Sequence, residues 1–256
     1  MGMTPREVVR RTVCFEGAER IPYDLAPEYG TDFAGTGMTP SPDARPRSGT
    51  DEWGCEWENI GVSNLGEVKR PALEDWADLP ALRIPDIRDP RRWEDLAGAR
   101  DRAGDRFLLG GGISLYERAH FLRGLPNIWT DITEEPERLG RLVDLLADMN
   151  LYAIERYAAA DVDGLTWCDD WGLQRRLMIP PAAWREIWKP RYARIYRAAH
   201  EAGLLTFLHS CGDITEILDD FIEIGLDVIQ MDQQENMGLE RLGRAFGGRI
   251  TFWCPA

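Results

Sequence analysis

From about residue 100, short apolar segments alternate with longer amphipathic segments, and this alternation is the strongest constraint on the fold. The apolar segments predict strands at 106–114, 161–170, 204–211, 226–232 and 249–254. The last three predicted strands begin about 22 residues apart, which is the spacing of tight βα repeats with parallel strands. The second half of the chain is therefore expected to be an α/β structure.

The amphipathic segments predict the helices that connect these strands. Residues 136–160 carry apolar side chains at three- and four-residue steps. Residues 180–202 have the same character, but Pro190 should kink or divide that helix because proline has no backbone N–H to donate. Further helices are expected at 213–225 and 238–248.

The first hundred residues have a less regular pattern. They predict a helix at 4–18, a strand at 20–25, a loop at 35–51 that is rich in Gly, Pro and Ser, and a hairpin or lid at 51–76. About seven strands are thus expected in the whole chain.

Polar side chains follow several predicted strands at the point where each strand ends. They are Asp169 and Asp170, then His209 and Cys211, then Gln230 and Asp232, and finally Cys254. A (β/α)8 barrel of the TIM type brings all strand carboxyl ends to one face, whereas a doubly wound sheet binds ligands only at its switch point. Polar residues at the ends of several consecutive strands therefore favour the barrel.

The sequence ends at TFWCPA, directly after a predicted strand. We therefore expect residues 1–256 to form a single barrel domain that lacks its last βα unit. Such a chain would be a fragment, an incomplete gene product, or a barrel completed by a partner, including a second copy in a homo-oligomer.

Charge and hydropathy exclude several classes of protein. The chain has 30 Lys and Arg against 44 Asp and Glu, a net charge of −14, so a nucleic-acid partner is not expected. There is no apolar run long enough to span a membrane and no signal-like amino terminus, which together predict a cytoplasmic protein. The five cysteines are an odd number with wide spacing, which argues against a disulfide framework and leaves metal binding, catalysis or simple burial.

The segment HSCG, from His209 to Gly212, is the strongest candidate site. In a strand, residues two apart point the same way, so His209 and Cys211 should face one centre. Imidazole nitrogen and thiolate sulfur are ligands that zinc prefers. The alternative is a buried cysteine beside a hydrogen-bonded histidine. Cys254, at the end of a later strand, is a candidate third ligand or a buried residue.

The acids and nearby polar residues are candidates for catalysis and substrate binding. Only one of Asp169 and Asp170 can face a pocket from a regular strand, where it would act as a general acid or base or hold a ring nitrogen; otherwise the pair caps a helix. Glu117 is a catalytic candidate, and Arg118 is a substrate-binding candidate, although the two also suit a structural ion pair. The other substrate-binding candidates are Gln230, Asp232 and Trp171, the last as part of a flat apolar wall or of the core.

Several segments together resemble the uroporphyrinogen decarboxylase superfamily. They are TPREVVRRTVCFEGAERIP, DEWGCEWE, LYERAHFLRG, DGLTWCDDWGLQ and LLTFLHSCGDITEIL, and they span nearly the whole chain. The resemblance implies a (β/α) barrel with a deep central cleft. True uroporphyrinogen decarboxylases carry an arginine-rich segment after the first strand, where this chain has DLAPEYGTDF.

The superfamily also contains zinc-dependent, corrinoid-linked methyltransferases, whose His-x-Cys pair is similar to His209 and Cys211. This resemblance implies a zinc enzyme that activates a thiolate to accept a methyl group from a corrinoid carrier, with a small-molecule substrate and a corrinoid protein as partners. Two alternatives remain: a metal-free decarboxylase of a tetrapyrrole or aromatic acid, and a non-catalytic protein that binds a corrinoid or a metal.

Overall fold

The computed structural model of the chain describes residues 2–26, 29–40, 49–59, 61 and 66–255. Its strands are β1 (Phe33–Thr36), β2 (Gly49–Thr50), β3 (Glu56–Glu58), β4 (Glu67–Arg70), β5 (Phe107–Gly111), β6 (Gly164–Cys168), β7 (Leu205–His209), β8 (Val228–Gln230) and β9 (Thr251–Trp253). Its helices are α1 (Pro5–Val13), α2 (Ala99–Ala103), α3 (Tyr116–Arg123), α4 (Leu125–Glu134), α5 (Pro136–Ala159), α6 (Pro181–Ile187), α7 (Lys189–Glu201), α8 (Thr215–Glu223), α9 (Gln234–Met237) and α10 (Leu239–Phe246). Two 3-10 helices, Trp76–Ala81 and Pro90–Leu96, precede α2.

Within this part of the chain, six strands form one parallel sheet in the order β1-β5-β6-β7-β8-β9. The sheet curves strongly enough for its edge strands to touch, because Trp253 of β9 stacks on Phe33 of β1 with ring centroids 4.6 Å apart. Helices cover the outer face, where α5 and α7 pack against each other. The α/β class and the barrel type of architecture are therefore as the sequence predicts.

The inside of the curved sheet is apolar at the amino ends of its strands. Phe107, Phe207 and Val228 form a buried cluster there with Val9 and Val13 of α1. Helix α1 begins with a capping box at Thr4 and presents its valines on one side, because they are four residues apart. Helix α1 thus covers the amino end of the sheet, and the carboxyl end is left for polar side chains.

A second, antiparallel sheet of β2, β3 and β4 confirms the hairpin predicted for residues 51–76. This sheet packs on α3: Cys55 is buried, and its thiol donates to the backbone oxygen of Phe121 at 3.3 Å. The carboxylate of Asp51 pairs with Arg118 at 3.4 Å.

Two predictions for the first half of the chain were wrong. Residues 20–25 form only an isolated bridge, from Asp24 to Thr31, and the first strand is Phe33–Thr36, which begins before the predicted loop at 35–51. Residues 41–48 of that loop lie outside the described residues. Helices α3 and α4 were not predicted at all.

The predicted division of the helix at 180–202 is confirmed. Helix α6 ends at Ile187 and α7 begins at Lys189, which places Pro190 in the first turn of α7, where its missing N–H has no helical partner to lose. None of the described helices has both the length and the apolar character needed to cross a lipid bilayer.

A buried carboxylate ties α1 and α2 to the amino end of the sheet, and its removal should destabilise the protein. Asp163 has no exposed surface and accepts from Arg6 Nε at 2.5 Å, Arg100 Nη1 at 2.8 Å and the N–H of Leu108 at 2.8 Å. We expect Asp163→Asn to lower the free energy of unfolding by about 3 kcal/mol, because one partner of a buried ion pair is lost. Urea denaturation would measure this change.

The matched control is Asp161→Asn, since the Asp161 side chain is 65% exposed and pairs with Arg6, which also binds Asp163, at 3.3 Å. An exposed pair contributes less than about 1 kcal/mol. Equal losses of unfolding free energy in the two variants would show that the buried ion pairs of Asp163 stabilise the fold no more than an exposed pair does.

A second stability prediction concerns pH. His200 Nε2 lies 2.9 Å from Asp227 Oδ2, and this hydrogen bond raises the pKa of His200 above its ordinary value of 6.5. Folding therefore gains stability from the imidazolium below about pH 6.5, and this gain is lost as the pH rises through the raised pKa. The side chain is half-buried, so the gain stays below about 1 kcal/mol.

We expect His200→Gln to lower the free energy of unfolding more at about pH 5.5 than at about pH 9. Urea denaturation of both proteins at the two pH values would test this. A difference between the two proteins that is independent of pH would refute the assigned role of the imidazolium.

Candidate metal centre

Strands β6 and β7 end side by side and bring three metal-ligating side chains together. Cys168 and His209 are partners in the register of the two strands, and Asp170 follows Cys168 by two residues. A thiol sulfur, a carboxylate oxygen and an imidazole nitrogen from these three residues all lie within 4.8 Å of one another. Sulfur, nitrogen and carboxylate oxygen are the ligand atoms that zinc takes in proteins.

Cys211 adjoins this group, as the period of the strand predicts. Its Sγ lies 3.3 Å from His209 Nε2, and its backbone N–H donates to Asp170 Oδ1 at 2.8 Å. Asp170 Oδ1 is also 3.4 Å from His209 Nε2. We refer below to Cys168, Asp170, His209 and Cys211 as the donor cluster.

The chain turns sharply after Cys211 because glycine is present at two facing positions. Gly212 has a φ of +76°, and a Cβ added to it would lie 2.2 Å from the backbone carbon of Gly172. Any side chain here would push apart the two segments that carry the donor cluster.

Gln230 and Asp232 lie behind His209. Nδ1 of His209 makes a short hydrogen bond with Gln230 Oε1, and Gln230 Nε2 donates to Asp232 Oδ1 at 2.7 Å. Because the amide oxygen can only accept, Nδ1 carries a proton and Nε2 faces the donor cluster. This chain of bonds fixes the orientation of the imidazole ring, as partners of metal-binding histidines do.

Burial and charge set the protonation of the donor cluster. The hydrogen bond to Asp170 raises the pKa of His209 to about 9. Burial raises the pKa of Cys211 to about 11 and raises that of Cys168 as well. Burial also acts to raise the pKa of Asp170, but its hydrogen bonds with His209 and Cys211 lower it below the ordinary value. Without a bound cation, the cluster holds two thiols and an imidazolium against one carboxylate.

Asp169 points away from Asp170 and into the protein, which agrees with the expectation that only one of the pair faces the pocket. It has no exposed surface and accepts from the N–H groups of Leu115, Tyr116 and Glu117 at 2.8–2.9 Å and from Tyr192 Oη at 2.5 Å. A carboxylate in this position caps the amino end of α3. Burial raises the pKa of Asp169 to about 6.

Glu117 lies in the first turn of α3, and its backbone N–H donates to Asp169 Oδ1 at 2.8 Å. Burial raises the pKa of Glu117 to about 7, and the charges of Asp169 and Asp170 act in the same direction. A carboxyl group with a pKa near neutrality can both take up and release a proton at physiological pH.

The remaining sequence candidates, Trp171, Cys254 and Arg118, make no hydrogen bond, ion pair or ring contact with the side chains of the donor cluster among the described residues. Trp171 has no exposed surface and stacks on Tyr116 with centroids 4.2 Å apart, so it packs the core in this structure and forms no open wall. Cys254 packs against the apolar core between the sheet and its outer helices. The preceding residue, Trp253, has its ring on the inside of the curved sheet. Arg118 lies over the rings of Trp53 and Phe121.

Cys168 was not among the zinc ligands expected from the sequence, which were His209, Cys211 and Cys254. The signal was present, because Cys168 and Asp170 have the same two-residue spacing as His209 and Cys211. What the sequence lacked was the register between the strands, which sets Cys168 opposite His209.

Comparisons with known proteins place this geometry in a family. A search of curated proteins found no match. Among solved structures, a methyltransferase from Methanosarcina mazei has a similar fold, with a TM-score of 0.71 and 17% sequence identity, over 98% of this chain and 82% of the other. The model of the uroporphyrinogen decarboxylase (URO-D) family matches residues 59–251. Since that match covers most of the sequence, the chain belongs to the uroporphyrinogen decarboxylase family.

Proposed function

We propose that the protein is a zinc-dependent methyltransferase of this family that passes a methyl group from a corrinoid carrier to a thiol. The observation that carries the proposal is the donor cluster, in which thiol, carboxylate and imidazole groups converge at the carboxyl ends of β6 and β7. The structural similarity to a protein named as a methyltransferase supports the same reaction class.

The donor set suits zinc in number and in kind. Cys168, His209 and Cys211 would hold the ion, and Asp170 beside them would yield its place to an incoming thiol, since a catalytic zinc keeps one of its four positions for substrate. Cys254, the third ligand expected from the sequence, is retained as the alternative. A bound zinc ion would supply a Lewis acid that favours the thiolate form of an incoming thiol.

The surrounding residues would hold the ligands and handle the proton. Gln230 and Asp232 keep Nε2 of His209 facing the cluster. Asp169 holds the first turn of α3 and thereby positions Glu117. We assign to the Glu117 carboxylate the acceptance of the proton that the thiol releases, since its pKa is about 7.

Charge at this face separates the proposal from tetrapyrrole decarboxylation. Three acids, Glu117, Asp170 and Asp232, act electrostatically on the Cys211 thiol at the centre. They attract a cation such as zinc and repel the many carboxylates of a uroporphyrinogen. The arginine-rich segment that would grip such carboxylates is replaced by DLAPEYGTDF.

The first test is the metal content of the protein. We expect the purified chain to retain about one zinc ion after dialysis, and Cys168→Ser, His209→Ala and Cys211→Ser each to weaken zinc binding by about 100-fold or more. Elemental analysis and competition with a chelating dye would measure both quantities.

Cys14→Ser is the matched control, because Cys14 is exposed at the end of α1. Loss of zinc in Cys254→Ser with retention in Cys168→Ser would replace one ligand assignment by the other. A folded wild-type protein that binds no zinc would remove the proposal.

The second test is the reaction. With methylcobalamin and a small thiol, the zinc-loaded protein should form a methyl thioether: the cobalt–carbon bond breaks with its electron pair left on cobalt, a sulfur–carbon bond forms, and the thiol loses its proton. The absorbance change of the corrinoid would follow the rate. We expect Glu117→Gln to slow the step by about 100-fold, within the usual range for loss of a general base, and to leave zinc bound.

Two outcomes would select the alternatives. Tight binding of zinc and corrinoid without transfer to any thiol would identify a binding protein. Turnover of uroporphyrinogen by the metal-free chain would identify a decarboxylase.

A further inference from the structure

A small cavity lies on the other side of the loop that follows β5 from the donor cluster. Its volume is about 180 Å³, and Gly112, Ile113 and Ser114 form one of its walls. The hydroxyl of Ser114 donates to the backbone oxygen of Cys168 at 2.5 Å. Ser114 thus lies between the cavity, which it lines, and the backbone of Cys168, to which it donates.

The cavity has the size and the walls for a single ring. An engineered apolar cavity of about 150 Å³ is known to hold benzene, so 180 Å³ accommodates a ring with a small substituent and excludes a tetrapyrrole. Apolar side chains supply most of the remaining wall, among them Met38, Trp53, Phe121 and Met149.

Arg118 lines this cavity, and several of its guanidinium N–H groups have no acceptor among the described residues. Its guanidinium carbon is 5.1 Å from the centre of the Trp53 ring and 5.5 Å from that of Phe121. Its one hydrogen bond to another described residue is a long one, 3.4 Å to Asp51 Oδ2, and that oxygen already accepts from Trp57 Nε1 at 2.9 Å. A guanidinium has five N–H donors, so most of those of Arg118 remain for a ligand.

Arg92 also lines the cavity, but Glu52 binds its terminal nitrogens at 2.8 and 3.0 Å. Arg92 is only 2% exposed. Its Nε is buried and has no hydrogen-bond partner among the described residues. That nitrogen has almost no surface open to the cavity, so Arg118 is the residue whose donors remain for a ligand.

We propose that this cavity binds a small carboxylic acid with an apolar body, of about the size of benzoate. The carboxylate would face Arg118, and the ring would lie against the apolar wall that includes Met38 and Met149. Glu52 also lines the cavity, but Arg92 pairs with both of its oxygens at 2.8 and 3.0 Å, so the ligand carboxylate would be attracted to Arg118. The inference goes beyond the proposed function: the acid would occupy its own site behind the loop that follows β5 and takes no part in the methyl transfer.

The test compares benzoate with benzamide, which has the same size and no charge. Calorimetry on the full chain should show benzoate binding at least about tenfold more tightly than benzamide, because charge-assisted hydrogen bonds are the stronger ones. Arg118→Gln should weaken benzoate binding by about tenfold or more and leave benzamide nearly unchanged. Arg118→Lys should recover part of the loss.

Arg244→Gln is the matched control, since Arg244 on α10 is 82% exposed and pairs with Glu240 one turn away. Equal affinity of the wild-type chain for benzoate and benzamide would overturn the inference without recourse to any variant. An unchanged affinity of a folded Arg118→Gln protein for benzoate would overturn it too.

Measurements with and without zinc keep the two proposals apart. Benzoate binding by a chain that binds no zinc would support the acid cavity and remove the proposed function. Zinc binding with no benzoate binding would remove the acid cavity alone.

Discussion

The buried carboxylate of Asp169 is the interaction on which the rest of the site depends. It binds three successive backbone N–H groups at the start of α3 and the hydroxyl of Tyr192 on α7. Asp169 immediately follows β6, so one side chain joins the end of a strand to two helices. The next residue, Asp170, consequently points to the opposite side, toward His209. Of the two adjacent acids, Asp169 therefore stabilises the fold and Asp170 belongs to the donor cluster.

Electrostatics explains why the donor cluster is suited to a cation. The two thiols have pKa values above their ordinary range because burial disfavours thiolates, and His209 is held as an imidazolium by Asp170. A divalent ion would reverse each of these preferences, since it stabilises thiolate and neutral imidazole together. The acids around the cluster would then balance the charge of the ion.

The sequence was informative where the fold is repetitive and local. The βα alternation predicted all five strands from β5 to β9, and the two-residue period predicted that His209 and Cys211 lie together. Helix α3 was missed because the acid that caps it, Asp169, is more than fifty residues away in the sequence. Cys168 was not among the expected ligands for a related reason: its position opposite His209 depends on the register of two strands, which no local pattern encodes. Local periodicity thus gave the elements, and contacts between distant segments gave the site.

The loop after β5 connects the donor cluster to the small cavity, and one buried side chain holds it. Asn150 of α5 accepts from the N–H of Ile113 at 3.0 Å and from Trp167 Nε1 at 2.8 Å, and it donates to the backbone oxygen of Ile113 at 2.9 Å. Gly112 must be glycine, because a Cβ there would lie 1.9 Å from Trp167 Nε1. The loop can therefore run close over the indole while Ser114 reaches Cys168 on one side and lines the cavity on the other. Since both sites share this wall, a ligand that moved the loop would also move the backbone beside Cys168. Rigid support by Asn150 would accordingly keep a fixed separation between the two proposed ligands, an acid in the cavity and an ion in the cluster.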